Sequence, residues 1–177
     1  MNRRSAIRNV AIISAGAAFL PSCYNSDKSS LPLKNLSLTG SQEKMLAALS
    51  ETIIPTYNSF IGAKGLKSHE FVLTMVDDCS SPEEQKKFTN GMIAFEELCK
   101  TKLDRAFENC TPQQRNELVT DIEQKKNVAG PVNDFYSTVK RYTLQSFTSS
   151  KEFMTDIRKY KLVPGPNYKG CVPVGKV

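Results

Sequence analysis

Two stretches of this chain carry the same helix-starting device, and it constrains the fold more than any other feature. Ser81-Pro82-Glu83-Glu84 and Thr111-Pro112-Gln113-Gln114 each place a hydroxyl residue first, proline second, and a long polar side chain fourth. The hydroxyl accepts from a free backbone N–H of the first turn, and the fourth residue reaches back to the cap. Proline sits where its missing N–H costs nothing. After Ser81, apolar residues recur at steps of three and four: Phe88, Met92, Phe95, Cys99, Leu103 and Ala106. That period predicts a long helix reaching Asn109, about 40 Å at 1.5 Å per residue. Gly91 is its weak point, at a cost of roughly 1 kcal/mol relative to alanine. After Thr111, Leu118, Val119 and Ile122 mark one buried face, Lys125 and Lys126 suit the C-terminal dipole, and Gly130-Pro131 is expected to break the helix.

The rest of the body follows the same grammar. Thr39 caps and Gln42 closes a box before Met45, Leu46, Leu49 and Ile53, and Pro55 stops that helix. A loop with Gly62 and Gly65 follows. Ser68 starts a second helix with Phe71, Val72, Met75 and Val76 on one face, ending near Cys79. Phe135, Val139 and Tyr142 line a fifth helix. A box over residues 149–152 opens a short one with Phe153, Ile157 and Tyr160. From Lys161 onward three prolines and three glycines predict an extended tail. Convincing strand alternation is absent from the body, so the fold class is all-α: one compact domain of about five to six helices. A length of 177 residues suits one such domain.

The first residues read as an export signal. Arg3, Arg4 and Arg8 form a basic head, an uncharged apolar run covers 10–20, and Ser22 and Cys23 are small residues at a cut site. The run is shorter than the roughly 20 residues a membrane span needs. Arg3-Arg4-Ser5-Ala6-Ile7-Arg8 is similar to a twin-arginine signal, whose plainer alternative is a basic head on a general secretory signal. Leu20-Pro21-Ser22-Cys23 is similar to a lipobox, which makes Cys23 the lipidation candidate, although Pro21 departs from the usual small residue. The chain thus divides into a signal at 1–22, a flexible tether at 23–38 and a helical domain at 39–177. Leu31, Leu33, Leu36 and Leu38 alternate loosely at the end of the tether and offer a short segment to pack on the domain.

The formal charge of +6 falls to about +3 once the three arginines of the signal leave. With no basic cluster interleaved with aromatics, this argues against nucleic acid as a partner. If Cys23 carries lipid, Cys79, Cys99, Cys110 and Cys171 are left as disulfide candidates for an oxidising compartment; the alternative is buried free thiols. No C-x-x-C, C-x-x-C-H, G-x-G-x-x-G or P-loop motif occurs. His69 is the single histidine and reads as a solvated or capping residue. The adjacent pairs Asp77-Asp78 and Glu96-Glu97 read as solvated carboxylates, because helix neighbours point in different directions. No catalytic residue, cofactor site or metal site is assigned to the chain.

Four stretches carry a family resemblance. They are the signal with Arg3-Arg4; Leu49-Ser50-Glu51-Thr52-Ile53-Ile54-Pro55 with Gly62-Ala63; the helix 135–144 running into Phe147-Thr148-Ser149-Ser150; and Pro164-Gly165-Pro166-Asn167-Tyr168-Lys169-Gly170-Cys171. In these the chain resembles the small (gamma) subunit of membrane-associated, flavin-dependent sugar and sugar-acid dehydrogenases, the gluconate 2-dehydrogenase subunit 3 family. The resemblance implies a non-catalytic subunit that escorts a large FAD-dependent subunit through the twin-arginine machinery and stabilises it. It also implies a cytochrome c subunit with c-type haem as electron acceptor. The export signal points to a periplasmic or cell-envelope location, and the lipobox-like stretch to an anchor at Cys23. Glu51, Pro55, Tyr168 and Gly170 are then the partner-interface candidates, with packing on the domain's own core as the alternative for each. A free-standing exported lipoprotein is the competing reading.

Overall fold

The structure is a computed structural model that describes residues 28–58, 60–124 and 128–160. The signal with Arg3 and Arg4, the lipidation candidate Cys23, Lys125 and Lys126, and the tail with Tyr168, Gly170 and Cys171 lie outside the described residues. Five α-helices make the body: α1 Gly40–Ile53, α2 Ser68–Cys79, α3 Pro82–Leu103, α4 Pro112–Glu123 and α5 Gly130–Thr148. A 3-10 turn, Phe107–Asn109, joins α3 to α4, and a π-helical turn, Phe153–Ile157, follows α5. No extended strand occurs among the described residues; two isolated bridges, Lys28 to Thr39 and Tyr57 to Phe60, are the only β pairings there.

Three of the four expected cap boxes form. Thr39, Ser81 and Thr111 accept from the backbone N–H of Gln42, Glu84 and Gln114, and each of those side chains returns to its cap's N–H. Three expectations need correction. The long helix ends at Leu103, not Asn109. Asp104 adopts a left-handed conformation, φ 52°, which stops the helix and lets Phe107 turn back under it. Phe107 is 1% exposed and meets Phe95 edge-on at 5.2 Å, so burying one large ring outweighs two more helical turns. Arg115 fixes the turn by donating to the carbonyls of Phe107 and Glu108. Gly130-Pro131 does not break α4, which has already ended at Glu123; Pro131 lies in the first turn of α5 instead. The box over 149–152 shifts by one: Ser150 accepts from the N–H of Phe153, while Ser149 turns back to the carbonyl of Gln145.

The core gathers where α5 crosses α3. Phe135 lies 5.1 Å from Phe88 and 5.6 Å from Phe95, ring to ring. Gly91 makes this approach feasible. A Cβ there would sit 2.6 Å from both the Cβ of Phe135 and the carbonyl oxygen of Pro131. The helix-weakening glycine is thus a contact residue, and the propensity it loses is recovered in ring packing. On the other side of α5, Glu123 accepts from the hydroxyl of Tyr136 and from Lys140, both at 2.6 Å, and ties α4 to α5.

Residues 28–38 lie against the helices as a strap. Leu36 joins the core, and Leu31, Leu33 and Leu38 pack against it, as the alternation predicts. Two carboxylates hold the strap. Glu43, in the first turn of α1, accepts from the hydroxyls of Ser29 and Ser30 and from the N–H of Ser30. Asp77, in the last turn of α2, accepts from the backbone N–H groups of Lys34, Asn35 and Leu36 at 2.7–2.8 Å. Asp77 is 4% exposed, which corrects its reading as a solvated carboxylate. Its position one residue after Val76 and four after Leu73 places it on the buried face, a signal the sequence did contain. Burial alone would raise its pKa, but the three N–H donors reverse that and hold the carboxyl below its ordinary 3.8. Stability from a carboxylate with a depressed pKa is complete above the ordinary value and is lost as pH falls through the folded one. Asp77→Asn should therefore cost about 2–3 kcal/mol at neutral pH, and the gap to wild type should shrink once the pH is taken below 3.8. Urea unfolding curves at neutral pH and in that acidic range measure this; an equal gap in both would refute it.

Candidate partner interface

The loop 54–67, between α1 and α2, is built from both of its ends. Ser50 closes α1 and is fully buried, with its hydroxyl 3.3 Å from that of Thr143 on α5. Ser68 opens α2, and its hydroxyl accepts from Ser146, one turn further along α5. Both loop ends are thereby fixed to one helix. Glu51 then clamps the interior: one carboxylate oxygen accepts from the N–H of Thr56 at 2.9 Å, the other from the N–H of Lys64 at 2.8 Å. The carbonyl of Ile54 accepts from the N–H of Ala63, and the carbonyl of Ala63 from the N–H of Ser68. Gly62 crosses the Pro55–Thr56 peptide so closely that a Cβ would lie 2.4 Å from the Thr56 nitrogen. No side chain fits there, so glycine is a steric requirement of this crossing.

The sequence-predicted interface residues therefore divide. Glu51, in the last turn of α1, and Pro55, in the loop, serve as its framework: Glu51 spends its carboxylate on backbone donors, and Pro55 lies beneath Gly62. Tyr168 and Gly170 lie outside the described residues. The residues the framework presents were not singled out by sequence reasoning. Tyr57 is 72% exposed, and Phe60 and Ile61 are exposed beside it. Asn58 supports their turn in a left-handed conformation, φ 49°. Phe60 continues into an aromatic row: its ring lies 5.3 Å from Phe147, which lies 5.2 Å from Phe153. With Ile61 and the exposed Ile157 they line a groove of about 340 Å³ together with Glu152 and Asp156. The readable signal was negative: Phe60 and Ile61 sit between two predicted helices, with no helical partner positions to bury them.

Such a surface has no acid–base or nucleophilic set. Among the described residues no three His, Cys, Asp or Glu side chains converge as a metal site, and no helix is long and apolar enough to cross a membrane. His69 is half-buried in the first turn of α2, with its Nδ1 buried and unpartnered. Burial lowers its pKa and favours the neutral ring. Of the disulfide candidates, Cys79, Cys99 and Cys110 carry free thiols; Cys79 is exposed and the others buried. Burial, reinforced by the nearby Cys110, pushes the Cys99 thiol up to about 12, which leaves almost no nucleophilic thiolate. A thiol-labelling time course on the native chain should modify Cys79 within minutes and leave Cys99 unmodified until denaturant is added. Removing the clamp with Glu51→Ala should raise hydrogen exchange at Thr56 and Lys64 by about tenfold while costing roughly 1 kcal/mol in global stability. Unchanged exchange at both amides would show that the loop holds without it.

Neither a search of curated proteins nor a search of solved structures gave a match. The family model described as gluconate 2-dehydrogenase subunit 3 matches residues 40–165, from the first residue of α1 through the presenting loop, the core helices and the aromatic row. That match spans most of the chain, and the protein belongs to the gluconate 2-dehydrogenase subunit 3 family.

Proposed function

We propose that this chain is the non-catalytic accessory subunit of an exported, FAD-dependent dehydrogenase of the gluconate 2-dehydrogenase type. It holds the large FAD-bearing subunit through the surface at Tyr57, Phe60 and Ile61. In this reading the twin arginines Arg3 and Arg4 take the folded pair through the twin-arginine machinery, and the small subunit keeps its partner stable afterwards. The substrate is an alcohol of a sugar, polyol or sugar acid, oxidised on the partner. Electrons leave by way of a cytochrome c subunit with c-type haem. The complex resides in the periplasm or cell envelope, anchored through lipid on Cys23.

The observation that carries the reading is the pre-organised loop. Exposed aromatic residues on a backbone fixed by Glu51, Gly62 and two buried hydroxyl contacts lose little entropy on docking. Tyrosine and phenylalanine at the centre of such a patch are the residue types that dominate binding energies. Family membership adds that the chain works as a subunit beside a dehydrogenase.

Purification in mild detergent from native membranes tests the proposal. Wild type should bring down a large flavoprotein in near-stoichiometric amount. Tyr57→Asp should reduce that recovery at least about tenfold without unfolding the chain. Replacing both Arg3 and Arg4 by lysine should leave this protein and the flavoprotein inside the cell. A solitary, colourless wild-type protein would favour the free-standing lipoprotein instead, and an active partner outside the cell in the lysine variant would end the escort role.

A further inference from the structure

The groove beside the loop is chemically specific. Phe60 and Phe147 meet at 48°, and Phe147 and Phe153 at 66°, so the rings are tilted rather than stacked and do not use up their faces on one another. Ile61 and Ile157 complete the apolar walls. The only charges in the lining are Glu152 and Asp156, both acidic, in a chain of formal charge +6. The local backbone sorts them: Glu152, Phe153, Asp156 and Ile157 line the groove, whereas Lys151 and Arg158, which flank the same π-helical turn, do not. Among the described residues no ion pair engages either carboxylate; Asp156 accepts from the hydroxyl of Thr155 at 2.9 Å. Like charges about one turn apart repel, and a cation placed beside both removes that cost.

Which cation follows from the walls. A lysine ammonium is compact and strongly hydrated, and phenylalanine rings replace its water poorly. A guanidinium is planar and weakly hydrated; it stacks on aromatic faces and donates through N–H forks that match carboxylates. A volume of about 340 Å³ is at the lower end of ligand sites and suits one long side chain, not a helix. Phe60 and Ile61 belong both to this groove and to the surface assigned above to the dehydrogenase. We propose that the groove is a slot for one arginine side chain of the dehydrogenase subunit, with its guanidinium against Glu152 and Asp156 and its stem between Phe60, Phe147 and Phe153. The choice of partner rests on the accessory-subunit reading; the preference for guanidinium does not.

The full mature chain, isotope-labelled and dilute, is titrated with N-acetyl-L-argininamide and separately with N-acetyl-L-lysinamide, and followed by NMR. Argininamide should shift the signals of Phe60, Phe147, Phe153 and Ile157, and lysinamide should need at least about tenfold more for the same shift. The E152Q/D156N double variant should weaken the arginine response about tenfold while the remaining spectrum stays unchanged. No arginine response, an equal response to lysine, or an unaltered response in the double variant overturns the slot. So does self-association that moves the same signals as protein concentration rises, which would make a second copy the occupant. In mild-detergent purification, E152Q/D156N should recover about tenfold less flavoprotein than wild type. Equal recovery overturns the slot and leaves the accessory-subunit reading intact. A wild type that recovers none ends that reading and the choice of partner with it, and the titration then decides alone whether the groove selects guanidinium.

Discussion

The absence of a side chain at Gly91 sets the position of α5, and much else depends on α5. With the backbone of α3 close to Pro131 and Phe135, the Phe88, Phe95 and Phe135 rings meet in one layer. Phe107 closes that layer from the turn after α3. The same placement carries Thr143 and Ser146 to the hydroxyls of Ser50 and Ser68, and Phe147 to Phe60. A shift of α5 outward would thus strain the core and release both ends of the loop together. Interiors pack densely enough that such a shift is not absorbed locally.

How much of this was legible depends on the range of the interaction. Cap boxes are local, and those at Thr39, Ser81 and Thr111 could be read from four residues each, although the same pattern over 149–152 closes no box. The all-helical class followed from apolar spacing alone. What could not be read were the places where a distant contact overrides a local pattern. Asp104 ends α3 because Phe107 finds Phe95, and the periodicity through Leu103 and Ala106 contains no hint of it. Gly91 looked like a defect because its compensation sits some forty positions away on α5. Asp77 was misjudged for the opposite reason: its spacing from Leu73 and Val76 was local and visible, but its acidic chemistry argued for water. The donors that make burial tolerable come from the strap, a segment that itself reads as polar linker.

The candidate site shows the same division. Family resemblance pointed to Glu51 and Pro55; in the structure Glu51 spends its carboxylate on backbone donors of the loop and Pro55 lies beneath Gly62. They shape the surface, while Tyr57, Phe60 and Ile61 present it. A motif shared by a family can mark the scaffold of an interface as well as its contact atoms, because a loop held by a charged clamp and a forced glycine tolerates few substitutions.

The strap and the loop attach at opposite ends of the same two helices. Glu43 and Asp77 hold the strap at the start of α1 and the end of α2, whereas the loop joins the end of α1 to the start of α2. Along either helix the two attachment points are about 12–14 Å apart. Four residues separate Cys23 from Lys28, where the described strap begins, a maximum of about 18 Å over the five steps of chain. For a chain anchored at Cys23, the leash is therefore short and the protein rides close to the lipid headgroups. Under such an anchor the strap end would be the near side, with the loop between α1 and α2 at the far ends of both helices.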